Sequence, residues 1–311
     1  MSCNFQDLTL SSITDLRLDT NSFVPLKSLT ALKSLHVDRA ALSSVGFWDA
    51  IRNNSSIANL ICHAGGDMNA VMSESLASLA ELKALDFPNV RMHARNEGSI
   101  YLAPRLTQLT KLSIKVNGAL ASDLSCLTNL MHLELQIHLE FDCSLEDTLV
   151  QMPRLERLVV KEADRLADGT YLLPVLPRYE KLRISSGAMQ QLQRLKSLSL
   201  ESVTVHEFFF QELTSLVKLT KLEVENVGVF CVESVISQIH QLEHLEELKL
   251  LSRDQSRVCS VLSPEYLPKL TKLTVPSSAE VTDTLRRRFR CRPQVLINRT
   301  KTSQWHGQLS G

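Results

Sequence analysis

His240 and His244 stand four residues apart in a segment of helical periodicity, a spacing that could set two imidazoles on one helix face toward a zinc ion. The companions that such chemistry needs do not follow. Gln241 comes after His240, so the His-Glu-x-x-His pattern of metalloproteases fails, and the pair reads as a solvated helix end. Gly65-Gly66 follows a candidate strand, but a bare glycine pair serves a tight turn better than a phosphate cradle. No Cys-x-x-Cys spacing occurs, which removes a zinc ribbon. No serine, histidine and acid carry a local catalytic signature. The N-x-S/T triplets at Asn53, Asn54 and Asn298 matter only in a secreted chain. The reading is of a non-enzyme with no cofactor and no metal.

What remains is charge, and the elements that position it are short repeated strands. A phrase of leucine, two residues, leucine, two residues, leucine, one residue, aliphatic recurs along the chain. It reads Leu29-Leu32-Leu35-Val37, Leu79-Leu82-Leu85-Phe87, Leu106-Leu109-Leu112-Ile114 and Leu216-Leu219-Leu222-Val224. The strands open at Leu16, Leu35, Leu60, Leu85, Leu112, Leu133, Leu158, Leu182, Leu198, Leu222, Leu248 and Leu273, with steps of roughly 16 to 27 residues. In Leu-x-Leu both leucines point to one face, and one strand cannot bury them alone. Stacked neighbours share them, which makes a solenoid with a parallel sheet. Val295-Leu296-Ile297 is a degenerate last strand. Several returns have helical spacing. Val232, Val235, Ile236 and Ile239 share a face, and Phe47–Ile51 and Leu145–Val150 follow suit, with Asp142 or Ser144 as N-cap of the latter. The short step from Leu182 to Leu198 holds at most one turn.

The chain resembles the leucine-rich-repeat superfamily over about 260 residues, and the longer units with helical returns look most like the intracellular ribonuclease-inhibitor and F-box-associated types. The resemblance implies an α/β horseshoe, with the parallel sheet on the concave face and short helices and loops on the convex face. The family's asparagine slot, five residues past the strand-opening leucine, is met at Asn21 and Asn117 and mostly not elsewhere. The expected organisation is a solenoid of about 12 repeats over residues 1–284, a basic cap over 285–301 and a disordered polar tail over 302–311.

Alternation places the residues between the inward leucines on the concave face, the expected binding surface. Arg157, Lys161, Lys181 and Arg183 fall on successive strands with no acid among them, and Glu201, Glu223 and Glu225 form an acidic patch beside them. A bipolar face selects a partner of opposite polarity and fixes its register. Aromatic residues are few in these columns. Phe208-Phe209-Phe210 lies in a return, where at most two rings bury on one helix face. Near the C-terminus the pattern gives way to Arg286, Arg287, Arg288, Arg290 and Arg292, on a short helix whose Leu285 and Phe289 would close the core. From Leu285 to Lys301 there are six arginines, one lysine and no acid, which suits a cap, an acidic protein partner or nucleic acid.

Composition bounds the rest. Lys plus Arg number 34 and Asp plus Glu 34, so nothing global selects nucleic acid. No apolar run reaches the roughly 18 residues of a membrane span. Met1 to Leu18 lacks the basic start and apolar run of a secretory signal, and Met1 to Ser12 is too short for an F-box. The 7 scattered cysteines read as free thiols, with Cys62 in a core slot, which points to a reducing cytoplasm. The expectation is a non-enzymatic protein–protein interaction scaffold within a larger complex. An inhibitor or regulator of one enzyme is the second expectation, and a nucleic-acid-associated subunit using the arginine end the third.

Overall fold

Every described Leu-x-aliphatic segment is a strand, and its burial alternates as the phrase requires: Leu35 and Val37 are fully or nearly buried while Ser34 and His36 are half-exposed. The computed structural model describes residues 15–18, 29, 31–37, 44–62, 66–67, 69–92, 106–117, 124–138, 145–162, 186–201, 203, 209–225, 232–251, 262–275 and 279–299. The chain divides into two units, Met1–Leu155 and Glu156–Gly311.

The first unit carries β1 (Asp15–Leu18), β2 (Ser34–Val37), β3 (Asn59–Cys62), β4 (Gly66–Asp67), β5 (Ala84–Met92), β6 (Lys111–Asn117) and β7 (His132–His138). Its sheet runs β1-β2-β3-β5-β6-β7, all parallel, with β4 paired to the far end of β5. The strand-opening leucines align in register, Leu16 to Leu35, Leu35 to Leu60, and on to Leu133. Returns form α1 (Val45–Arg52) and α2 (Ala70–Ala77). Ser44 caps α1 by accepting from the Phe47 N–H, and Asn69 caps α2 by accepting from the Met72 N–H at 2.9 Å. The third described return helix, α3 (Glu146–Val150), has Leu145 at its N-cap and no side-chain cap bond, in place of Asp142 or Ser144. Leu145 is fully buried, so packing fixes that helix start.

The second unit carries β8 (Arg157–Glu162), β9 (Ser197–Glu201), β10 (Lys221–Glu225), β11 (Glu247–Leu251), β12 (Lys272–Val275) and β13 (Leu296–Arg299), again parallel and in sequence order. Its returns hold α4 (Ser186–Gln191), α5 (Phe209–Glu212), α6 (Val232–Ile239) and α7 (Ala279–Arg288). One expected rung is corrected. β8 bonds directly to β9, Leu158 against Leu198, so no strand at Leu182 stands between them. A step of roughly 16 residues is too short for a turn, a strand and a return, whereas the full span from β8 to β9 exceeds an ordinary unit. Lys181 and Arg183 lie outside the described residues.

The leucines ahead of each strand make a turn of their own. Leu32 N–H donates to the Leu29 carbonyl at 3.0 Å, and Leu109 to Leu106, Leu195 to Leu192 and Leu219 to Leu216 repeat this bond at 2.9–3.0 Å. These leucines are buried on the core side of the sheet. One carbonyl per rung then takes two amides from the next: Lys83 O accepts from Thr110 and Lys111, and Lys196 O from Thr220 and Lys221. The chain thereby satisfies its own backbone as it climbs. Side chains reinforce the turns, with Asn54 reaching back to Leu29 O at 3.0 Å and Asn129 to Thr107 O at 2.9 Å. Asn21 lies outside the described residues. Cys62 is fully buried in the sheet's core column and stands outside any disulfide.

Candidate interaction surface

The outward columns of the second unit put opposite charges on neighbouring strands. Register aligns Arg157, Ser197, Lys221, Glu247 and Lys272 in one row, and Ser199, Glu223, Lys249 and Thr274 in the next. Strands lie about 4.8 Å apart, so long side chains on adjacent rungs meet. They do so as a ladder. Lys161 Nζ lies 3.8 Å from Glu201, Lys221 Nζ 3.0 Å from Glu223 and 3.8 Å from Glu247, Lys249 Nζ 2.6 Å from Glu225, and Lys272 Nζ 3.3 Å from Glu247. Glu201, Glu223 and Glu225 are therefore each joined to a lysine, and the face carries interleaved charge. Arg157 stands exposed on β8. Val159, in the same outward set, is almost completely buried.

Glu223 anchors the ladder. Burial pushes its carboxyl up, but the Lys221 ammonium and hydrogen bond, the Ser199 hydroxyl at 3.1 Å and the more distant Lys249 outweigh it and hold the group below the usual carboxylate range. The first unit's face differs. Its described outward positions include Ile61, Ala84, Pro88 and Ser113, and Lys111 pairs with Asp86 at 3.3 Å. On β5 the register with β6 slips between Phe87 and Arg91, so Pro88, Asn89 and Val90 bulge out of that pairing, and Val90 pairs with Gly66 of β4. Proline lacks the N–H that a central strand would use there.

The arginine end sorts into distinct environments. Helix α7 buries Leu285, and Phe289 in the following short turn is also buried, so both close the core. Arg288 donates to Leu262 O at 3.3 Å. Arg292 spreads over the carbonyls of Pro264, Leu267, Pro268 and Leu270. Arg286 reaches Asp283 across 3.7 Å, and Arg287 and Arg290 are exposed. Two guanidinium groups thus serve the backbone, and three remain at the surface.

A groove of about 510 Å³ lies at the turn side of the second unit, lined by Lys196, Val217, Lys218, Thr220, His244, Glu246 and Lys269. Sequence reasoning missed it, although a signal was present. The third residue of the Leu-x-x-Leu turn is basic on four successive rungs: Arg194, Lys218, His244 and Lys269. The two histidines go separate ways. His244 Nδ1 is 2.9 Å from Lys269 Nζ, whereas His240 stacks on Tyr266 at 4.6 Å and takes the Ser263 N–H on Nε2 at 3.3 Å. Phe209 and Phe210 are both buried, edge to face at 5.3 Å, and Phe208 lies outside the described residues. No described helix is long and apolar enough to cross a membrane.

Among solved structures, the chain is similar to an internalin of Listeria monocytogenes, with a TM-score of 0.51 and 16% identity over 95% of this chain and 88% of that one. It is also similar to a TDR receptor, with a TM-score of 0.49 and 16% identity over 88% of this chain but 44% of the receptor, so it spans less than half of that protein. No family model matches, and no curated protein matches in sequence. The internalin likeness bears on the fold, and together with the parallel leucine-stacked rungs it makes this a leucine-rich-repeat solenoid.

Proposed function

We propose that the chain is a non-enzymatic protein–protein interaction scaffold, a subunit of a larger complex, that reads its partner with the sheet face of the second unit. The observation that carries this is the Lys/Glu ladder on β8 to β12. Parallel strands fix its spacing, so a partner with the inverse order of charges meets a rigid template. Arg157 and Lys161 mark the basic side of that template, and Lys181 and Arg183 lie outside the described residues. The eight-residue helices α1, α2 and α6 support the ribonuclease-inhibitor or F-box-associated subtype. Cys62, Cys126 and Cys291 stand outside any disulfide, which suits a reducing compartment such as the cytoplasm.

The test uses the full-length chain as bait at moderate salt, followed by purification of the stoichiometric partner. Reversing the ladder with Lys221→Glu and Lys249→Glu should weaken that partner by about tenfold or more, with circular dichroism showing the fold retained at the assay temperature. Affinity indifferent to the reversal, or capture of nucleic acid alone, would sink this reading.

A further inference from the structure

The second unit's sheet ends, among the described residues, on β13, whose outer edge bonds to no other strand. Edge strands offer a row of backbone donors and acceptors, and proteins ordinarily cover, charge or interrupt them. Which groups face outward follows from the register. Leu296 pairs with Lys272, and its N–H donates to Thr271 O at 2.7 Å, toward β12. In a strand each residue turns its N–H and C=O to one edge and the next residue to the other, so those of Ile297 and Arg299 face away from the sheet. Leu296 is 59% exposed, an apolar side chain standing on the outward face at this edge.

The charge along the chain leading into that edge has one sign. The described stretch from Leu285 to Arg299 contains arginines and no acid. Arg287 and Arg290 project from α7 and the turn after it, and Arg286 has Asp283 at only 3.7 Å. A second copy of this chain would bring the same positive field to its own β13, so an edge-to-edge dimer is disfavoured. An acidic chain is attracted instead.

We propose that β13 accepts an acidic, extended segment of a partner protein as the next strand of the sheet. Ile297 and Arg299 supply the main-chain bonds, Leu296 receives an apolar side chain, and Arg286, Arg287 and Arg290 hold flanking carboxylates. This is strand addition, in which backbone bonds give affinity and side chains give selectivity. It rests on the scaffold reading for its partner class but uses a surface separate from the Lys/Glu ladder.

The probe is a twelve-residue peptide of alternating valine and glutamate, titrated into the full-length chain by fluorescence anisotropy. Binding should weaken with added salt. It should fall by about tenfold in Arg299→Pro, which removes one outward N–H and leaves the bonds to β12 in place. Arg287→Glu with Arg290→Glu, at exposed positions remote from the core, should abolish it. Hydrogen exchange should show the Ile297 and Arg299 amides slowed by the peptide. The ladder variant Lys221→Glu with Lys249→Glu should bind the peptide as the parent does, which separates this proposal from the scaffold reading. It is overturned by no binding by the parent, by binding indifferent to Arg299→Pro, by amides of Ile297 and Arg299 already protected without peptide, or by a poly-uridine RNA binding in the peptide's place. Concentration-dependent dimerisation blocked by Arg299→Pro would overturn it in favour of self-pairing.

Discussion

Thr220 donates its hydroxyl to the Lys196 carbonyl at 3.2 Å, and that same oxygen already accepts the Thr220 and Lys221 amides at 2.9 Å. Thr110 does this to Lys83 O and Thr271 to Glu246 O, at 3.2 and 3.1 Å. Each sits in the same leucine-threonine-lysine-leucine word, so the hydroxyl is a repeated pin between one rung and the one before. Thr220→Val, which keeps the shape and removes the donor, should lower unfolding free energy by about 0.5–1 kcal/mol. Thr220→Ser should lose less. Urea unfolding of the two variants checks this; equal effects would show that the methyl group, not the hydroxyl, matters.

His240 makes stability depend on pH. Burial lowers its pKa below 6.5, because removing the ring from water disfavours its charged form. The neutral ring is the form the fold holds. Its contribution is therefore whole above about 6.5 and is lost as pH falls from there through the folded-state value. Thermal melting from pH 7.5 to 5 should show a decline that His240→Gln flattens. An identical slope in the variant would assign the decline to other groups.

Glu223 gives the opposite case for a carboxyl. Burial raises its pKa, yet Lys221, Ser199 and Lys249 together leave it depressed. A depressed carboxyl stabilises the fold above its ordinary value of 4.5, and the gain disappears as pH falls through the folded value. Lys221→Met should move the Glu223 titration upward, as should Ser199→Ala to a smaller degree. Carbon-detected NMR of the side-chain carboxyl reads this directly, and a titration unmoved in Lys221→Met would mean that the ladder seen across β10 is not populated in solution.

The leucine phrase made the rungs, their inward columns and most of their register legible, because period-2 burial leaves one solution for each strand. It failed at Leu182. Leu182-Arg183-Ile184 satisfies the short strand word, but such a word recurs by chance in leucine-rich sequence, and the cramped step to Leu198 was the warning. The charged patches read as separate blocks because residues in the outward columns were grouped by sign and not paired across neighbouring strands. Lys221 and Lys249 stood in the same columns as the glutamates, and parallel register alone brings Lys249 beside Glu223. Where each carboxylate turns within reach of several ammonium groups is a matter of rotamers, which no periodicity encodes.

Arg292 occupies the place that leucine holds on the rung before: Arg292-Pro293-Gln294-Val295 mirrors Leu267-Pro268-Lys269-Leu270, and Val295 N–H donates to Arg292 O at 3.1 Å as Leu270 does to Leu267. With no described rung beyond, the guanidinium turns back onto the carbonyls of Pro264, Leu267, Pro268 and Leu270. Charge-assisted bonds to several half-buried oxygens make it a structural residue, so Arg292→Met should cost about 1–3 kcal/mol and speed hydrogen exchange across residues 262–275. Arg287→Met, at an exposed site on the same arginine run, should stay within about 0.5 kcal/mol. Equal costs at the two positions would remove the distinction between the arginine that holds the fold and the arginine left for a partner.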